Sequence, residues 1–315
     1  MPDPYPDVAA LLAHLNELFP ALGTAVTDAD EARRLFAALR RPVAQPTPVR
    51  AVTETVAARD HGGVVPLRHY SPATRADGAP VVLFLHGGGW VLGGFDSHDE
   101  LCRRLANGSG ATGTAVDYRL APEHPFPAAL EDAAAALRHV VATSPQGTRV
   151  VVAGDSAGGN LAAALCLLTR DEAGPEIAGQ LLLYPMTDQA CDSPSYRDNG
   201  QGFYITADHL RWFWSQYLRY ETDGASRYVS LLRANLQGLP PAHVVTAGLD
   251  PLRDEGEAFA RRLAEAGVDV TWRRYEGVFH GFVLFPEQLA AAREAHADIC
   301  AAMLRLAGVT AHAEQ

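Results

Sequence analysis

The run Val150-Val151-Val152-Ala153-Gly154-Asp155-Ser156-Ala157-Gly158-Gly159 constrains this chain more than any other. A short β-branched stretch meets Gly-x-Ser-x-Gly, and residues 160–168, rich in Ala and Leu, follow. The first part reads as a buried strand and the last as a helix. A serine squeezed between the two must adopt a strained backbone, and flanking glycines leave room for that turn. Its side chain then projects above a sheet, at the positive end of the following helix, where an oxyanion is stabilised. Gly-x-Ser-x-Gly alone occurs by chance in many chains. The strand before it and the helix after it make Ser156 a candidate nucleophile.

The rest of the chain alternates in the same way. Residues 81–85, 112–116, 150–153, 180–184, 244–247 and 268–275 read as strands, and 98–106, 127–142, 253–266 and 286–306 as helices. This predicts an α/β fold with a mostly parallel sheet covered by helices on both faces. Residues 51–58 and 64–70, separated by Asp60-His61-Gly62-Gly63, read as an antiparallel pair at one edge. Two helices precede them, over 8–19 and, capped by Thr27 or Asp28, through Leu39.

Residues 188–240 break the rhythm: about fifty residues hold no clear strand, only an amphipathic helix over 206–220 with Trp212, Phe213, Trp214 and Tyr217. Residues 1–48 and 188–240 are therefore expected to form a helical cap on a core of 49–187 and 241–308, with 309–315 a frayed tail.

Bulk properties exclude several classes. With 48% hydrophobic residues in 315, a large core is attainable and wholesale disorder is not expected. A net charge of −11 without a basic run argues against nucleic acid or an anionic membrane as partner. No segment approaches the roughly 18 consecutive apolar residues of a membrane span, and the N-terminus lacks a basic and an apolar leader region, so a cytoplasmic location is expected. The four cysteines are dispersed and form no Cys-x-x-Cys, so neither metal nor disulfide framework is expected.

A serine hydroxyl needs a base, and the base an orienting acid. Two segments supply them in the order Ser, Asp, His. Asp250 follows the strand at 244–247, and His280 lies in a loop past the next strand. Most of the twelve histidines are surface or structural residues; His280 stands out by the Gly281 after it and its apolar flanks. Asp250 also suits a cap for the helix starting near Leu252, a role compatible with orienting a histidine. Asp254 and Glu255, one turn on, read as solvated or helix-N-terminal charges. The run His86-Gly87-Gly88-Gly89-Trp90 follows a strand, as an oxyanion loop should, and Gly88, Gly89 and Ala157 are candidate N–H donors. A phosphate cradle is the competing reading, but the glycines do not spell G-x-G-x-x-G and no P-loop lysine follows.

Together, His86-Gly87-Gly88-Gly89-Trp90, Asp117-Tyr118-Arg119-Leu120-Ala121-Pro122-Glu123, Gly154-Asp155-Ser156-Ala157-Gly158-Gly159, Asp250-Pro251-Leu252-Arg253-Asp254-Glu255 and His280-Gly281-Phe282 resemble the hormone-sensitive-lipase-like branch of the α/β-hydrolases, the bacterial family IV carboxylesterases. The resemblance spans roughly residues 50–306 in order. It implies an α/β-hydrolase fold with Ser156 as nucleophile, Asp250 as orienter, His280 as acid–base, and Gly88, Gly89 and Ala157 as the oxyanion hole. His86 would stabilise the glycine loop through its side chain, and Tyr118, Arg119 and Glu123 would form a network behind the site. The implied activity is hydrolysis of short-to-medium-chain carboxylic esters, small-molecule substrates, through an acyl-serine and without metal or organic cofactor. The resemblance also admits a homodimer, on which composition is silent. Tyr184, Trp212, Phe279 and Phe282 are candidate pocket residues, though core packing explains each about as well. An amidase, formamidase or lactonase would use the same triad. A non-catalytic binding protein of this fold would lack the histidine, which is present here.

Overall fold

The computed structural model describes residues 4–39, 43 and 45–309. The expected tail thus lies outside the described residues except for Val309, as do the first three residues and part of the stretch linking the N-terminal helices to the core.

Eight strands form one sheet: β1 (Ala51–Ala58), β2 (Val64–Ser71), β3 (Val81–Leu85), β4 (Thr112–Val116), β5 (Val150–Asp155), β6 (Gly179–Leu183), β7 (Ala242–Leu249) and β8 (Val270–Phe279). Their order is β1-β2-β4-β3-β5-β6-β7-β8. β2 is antiparallel to both neighbours, and every other pairing is parallel. The antiparallel pair therefore sits at one edge, as expected.

Side chains alternate across the sheet. Val81, Leu83, Leu85, Val150, Val152 and Val244 enter one core cluster, with α4 (Ala128–Thr143), α5 (Ala157–Asp171) and α8 (Arg253–Glu265). Val82, Phe84, Val151, Ala153, Val245 and Ala247 enter the other, with α3 (Phe95–Ser109) and α9 (Ala290–Leu306). β3, β5, β6 and β7 are buried along their whole length, which is why they read as continuous apolar runs. The sheet thus holds β5 between β3 and β6, with the Ser156 turn at its carboxyl end.

Among the boundaries that differ from expectation, two move furthest. β8 runs on to Phe279 because Gly277, at φ 63°, lets the strand continue past a break in its alternation. α9 starts at Ala290 rather than 286, because Gln288 N and Leu289 N first close a turn onto Phe285 O.

Before the sheet come α1 (Pro6–Leu18) and α2 (Ala29–Leu39), the latter capped by Asp28, whose Oδ1 accepts Glu31 N at 2.8 Å. The 188–240 segment contains α6 (Pro194–Asp198) and α7 (Ala207–Tyr217). Thr206 Oγ1 accepts His209 N at 3.2 Å, which ends the predicted helix at its N-terminus. The N-terminal helices and this segment touch: Asn16 bonds Gly202 and Tyr204, and the Trp212 indole donates to Thr27 O at 3.2 Å. α2 is tied to the core by Arg33, which bonds Glu123, Ala121 O and Val91 O.

Candidate active site

Ser156 sits between β5 and α5 at φ 56°, ψ −119°, a strained conformation for a side-chain-bearing residue. The surroundings over-determine it. Ser156 N donates to Leu183 O at 2.8 Å, and Ser156 O accepts Asn160 N and Met186 N. The glycines serve close approach: a Cβ on Gly158 would lie 1.9 Å from Leu85 O, and one on Gly154 would lie 2.2 Å from Gly158 O.

His280 follows the last residue of β8, and Asp250 the last of β7. The three side chains meet. His280 Nε2 is 3.0 Å from Ser156 Oγ, and His280 Nδ1 is 2.8 Å from Asp250 Oδ2. All three are buried. An Nδ1–H donated to the carboxylate leaves Nε2 as acceptor for the serine hydroxyl. Asp250 Oδ1 meanwhile accepts Leu252 N at 2.8 Å, so the carboxylate does close the turn into α8 as well as face the histidine.

The glycine loop leaves β3 beside this row. Gly88 and Gly89 have φ 114° and 61°. The N–H groups of Gly88, Gly89 and Ala157 have no hydrogen-bond acceptor among the described residues. His86 Nδ1 donates to Gly87 O at 2.8 Å, and its ring stacks on Tyr118, whose hydroxyl donates to His86 O at 2.6 Å. Burial, and then the nearby His98, push the His86 imidazole down to about 4, so it is neutral at neutral pH.

Sequence reasoning did not single out Asp155 and His98. Asp155 Oδ1 accepts Gly87 N at 2.8 Å and lies 3.0 Å from His98 Nε2, which links the residue before Ser156 to the glycine loop. Burial alone would raise the Asp155 carboxyl, but His98 and the Gly87 N–H hold it below its usual range. A carboxylate closing an apolar strand was the available signal; nothing local marked His98.

The candidate pocket residues separate. Tyr184, at φ 35°, stands edge-on to the His280 ring with centroids 4.7 Å apart. Phe282 packs on Tyr184 and Tyr275, and Phe279 on Tyr204 and Phe285, both fully buried in the core. Trp212 joins α7 to the N-terminal segment through Thr27. Its neighbour Phe213 lies on the glycine loop instead: a Cβ on Gly89 would come within 2.1 Å of the Phe213 ring.

Of the two readings of Asp254 and Glu255, the helix-N-terminal one holds, since both lie in the first turn of α8, and the solvated one fails for Glu255. Glu255 is not solvated; it is buried, and its Oε1 accepts Thr187 N at 2.6 Å and Asp188 N at 3.3 Å. That first turn of α8 is covered by Thr187 and the start of the 188–240 segment. Asp254 accepts Ser195 N at 2.8 Å. All four cysteines are free and buried. Among the described residues no three metal-ligating side chains cluster, and no helix is long and apolar enough to cross a membrane.

A mostly parallel sheet with a serine on the turn after β5, and an aspartate and a histidine past β7 and β8, defines an α/β hydrolase, and the chain belongs to that family. The family's profile, described as the α/β-hydrolase fold, matches residues 82–284. Carboxylesterase NlhH of Mycobacterium tuberculosis is 38% identical over 308 residues, 95% of this chain and 96% of the relative. The ethyl acetate hydrolase of Pseudomonas putida is 38% identical over 296 residues, 88% of this chain and 91% of its own. The solved hyperthermophilic esterase of Pyrobaculum calidifontis shares this fold with a TM-score of 0.89 at 38% identity, covering 98% of this chain and 100% of that one.

Proposed function

We propose that this protein is a carboxylesterase in which Ser156 is the nucleophile, His280 the acid–base and Asp250 its orienter. One observation carries this reading: an unbroken hydrogen-bonded row, Ser156–His280–Asp250, assembled from three separate strand ends. The esterase relatives support the bond type. His280 takes the Ser156 proton as the hydroxyl attacks the ester carbonyl, then returns it to the departing alcohol. Water activated by the same imidazole releases the acid. The unpaired N–H groups of Gly88, Gly89 and Ala157 receive the oxyanion, each worth on the order of 3 kcal/mol in the transition state. No step calls for a metal or organic cofactor.

The N-terminal helices and the 188–240 segment act as a cap in this reading. Phe213, pressed on Gly89, limits the room beside the oxyanion donors, which favours short-to-medium acyl groups over long ones. The test is a chain-length series of p-nitrophenyl esters beside Ser156→Ala and His280→Ala. Turnover is expected to peak at acetyl to hexanoyl and to fall by about four orders of magnitude or more in either variant, with the fold retained. Turnover surviving in a folded variant would reassign the chemistry. Faster cleavage of an amide or lactone than of its matched ester would move the enzyme to that substrate class.

A further inference from the structure

β7 and β8 slip register between Ala247 and Leu249, just before the turn that carries Asp250. One side chain reaches two main-chain carbonyls there. Asn199 Nδ2 donates to Gly248 O at 3.2 Å and to Asp250 O at 3.1 Å. Asn199 comes from the 188–240 segment, where it ends α6, and it is fully buried. Chemistry fixes its amide orientation: turned over, its oxygen would face two carbonyl oxygens. Arg253 holds the same turn from its other end, through Nη1 to Gly248 O and N to Asp250 O.

Asp250 has no slack. Oδ2 faces His280 and Oδ1 accepts Leu252 N, so a rotation of its peptide carries Oδ2 off the imidazole. Ser195 adds two ties from the same short helix, its Oγ donating to Pro251 O and its N to Asp254 Oδ2.

We propose that Asn199 is a positioning residue, which aims the Asp250 carboxylate at His280 by clamping the carbonyls of Gly248 and Asp250. This rests on the reading of Asp250 as the triad acid. The 188–240 segment is then part of the scaffold of the relay as well as its cover.

The experiment uses the full chain with Asn199→Leu, of similar size without donors, and Asn199→Asp, of the same shape with the donors replaced by acceptors. Two quantities are read: kcat and KM on p-nitrophenyl butyrate, and the low-field proton NMR resonance of the His280 Nδ1–H bonded to Asp250. Misaim of this order is expected to lower kcat roughly 10- to 100-fold with KM within about three-fold. The resonance should shift or broaden. A folded variant with wild-type kcat and an unmoved resonance overturns the proposal, as does failure of both variants to fold, which would make the residue structural only. If wild-type protein cleaves no ester, the functional reading fails; the resonance needs no substrate and still decides the positioning.

Discussion

The turns that carry Ser156 and Asp250 solve one problem by different means. Each must hold a polar side chain above the end of a buried strand. The Ser156 turn does so with its own backbone: glycines at 154 and 158 let the start of α5 touch the ends of β3 and β5, and the backbone bonds of Ser156 are all to main chain. The Asp250 turn borrows side chains from a distant stretch. Asn199, Ser195 and the peptide N–H groups of Thr187 and Asp188 meet Gly248, Asp250, Pro251, Asp254 and Glu255. Ser156 is thus set by close packing inside the core, and the Asp250 turn by hydrogen bonds across the boundary with the 188–240 segment.

Gly158→Ala should produce the largest effect. The new methyl would meet Leu85 O at 1.9 Å and His86 O at 2.7 Å, both backbone atoms with no rotamer to yield. A shift of the α5 start is the only relief. We expect a loss of about 3 kcal/mol or more in urea-midpoint stability. A nucleophile displaced by about 1 Å would also lose about 100-fold in kcat. A variant with wild-type midpoint and turnover would show that the contact is soft and erase the contrast.

Ser195→Ala probes the other turn with a smaller change. It removes a buried hydroxyl that donates to Pro251 O and accepts Asp254 N, and leaves both groups short of a partner. A loss of about 1–3 kcal/mol by urea unfolding is expected, with kcat down only several-fold because Asn199 remains. If kcat instead falls as far as in Gly158→Ala, the borrowed bonds hold the acid as rigidly as packing holds the serine.

The same contrast explains what could be read in advance. Apart from Pro185, which packs on Gly159, the residues that shape the Ser156 turn by close approach lie within a few positions of it or in the run at 85–90, so the chemistry was legible as short motifs. The apolar runs likewise placed β3, β5, β6 and β7, because fully buried strands need no knowledge of their partners, while the more exposed β1, β2, β4 and β8 were placed by β-branched patterning and the turns between them. The supports of Asp250 were not legible, since Asn199 precedes it by 51 positions, in the part of the 188–240 segment that lies before its amphipathic helix. His98 was hidden for a related reason: α3 turns it inward to Asp155, a contact that its place at the start of a helix does not encode. On α7, adjacent residues point apart, so Trp212 faces Thr27 while Phe213 faces Gly89; sequence placed both on one aromatic helix without separating their partners.

At pH 5 the smallest effect of the three is expected from Glu255→Gln, and it grows only as pH rises. Burial pushes the Glu255 carboxyl up to about 8, and the N–H groups of Thr187 and Asp188 offset this only in part. The folded state therefore keeps a proton that the unfolded chain releases near its ordinary 4.5. For an acid raised in this way, the stabilisation is complete below the unfolded value and is lost as pH rises through about 8. Buried neutral histidines act on the acid side instead: His86, His209 and His243 are each pushed down to about 4 by burial, so they cost stability as pH falls from 6.5 toward 4. The substituted amide oxygen would accept the same two N–H groups, but the side chain could not ionise. The variant should match wild type within about 1 kcal/mol at pH 5 and exceed it by on the order of a few kcal/mol at pH 9. Urea unfolding at both values decides it. Parallel stability curves for the two proteins would mean that this carboxyl ionises without cost, and that the insertion grips the Asp250 turn less tightly than its hydrogen bonds imply.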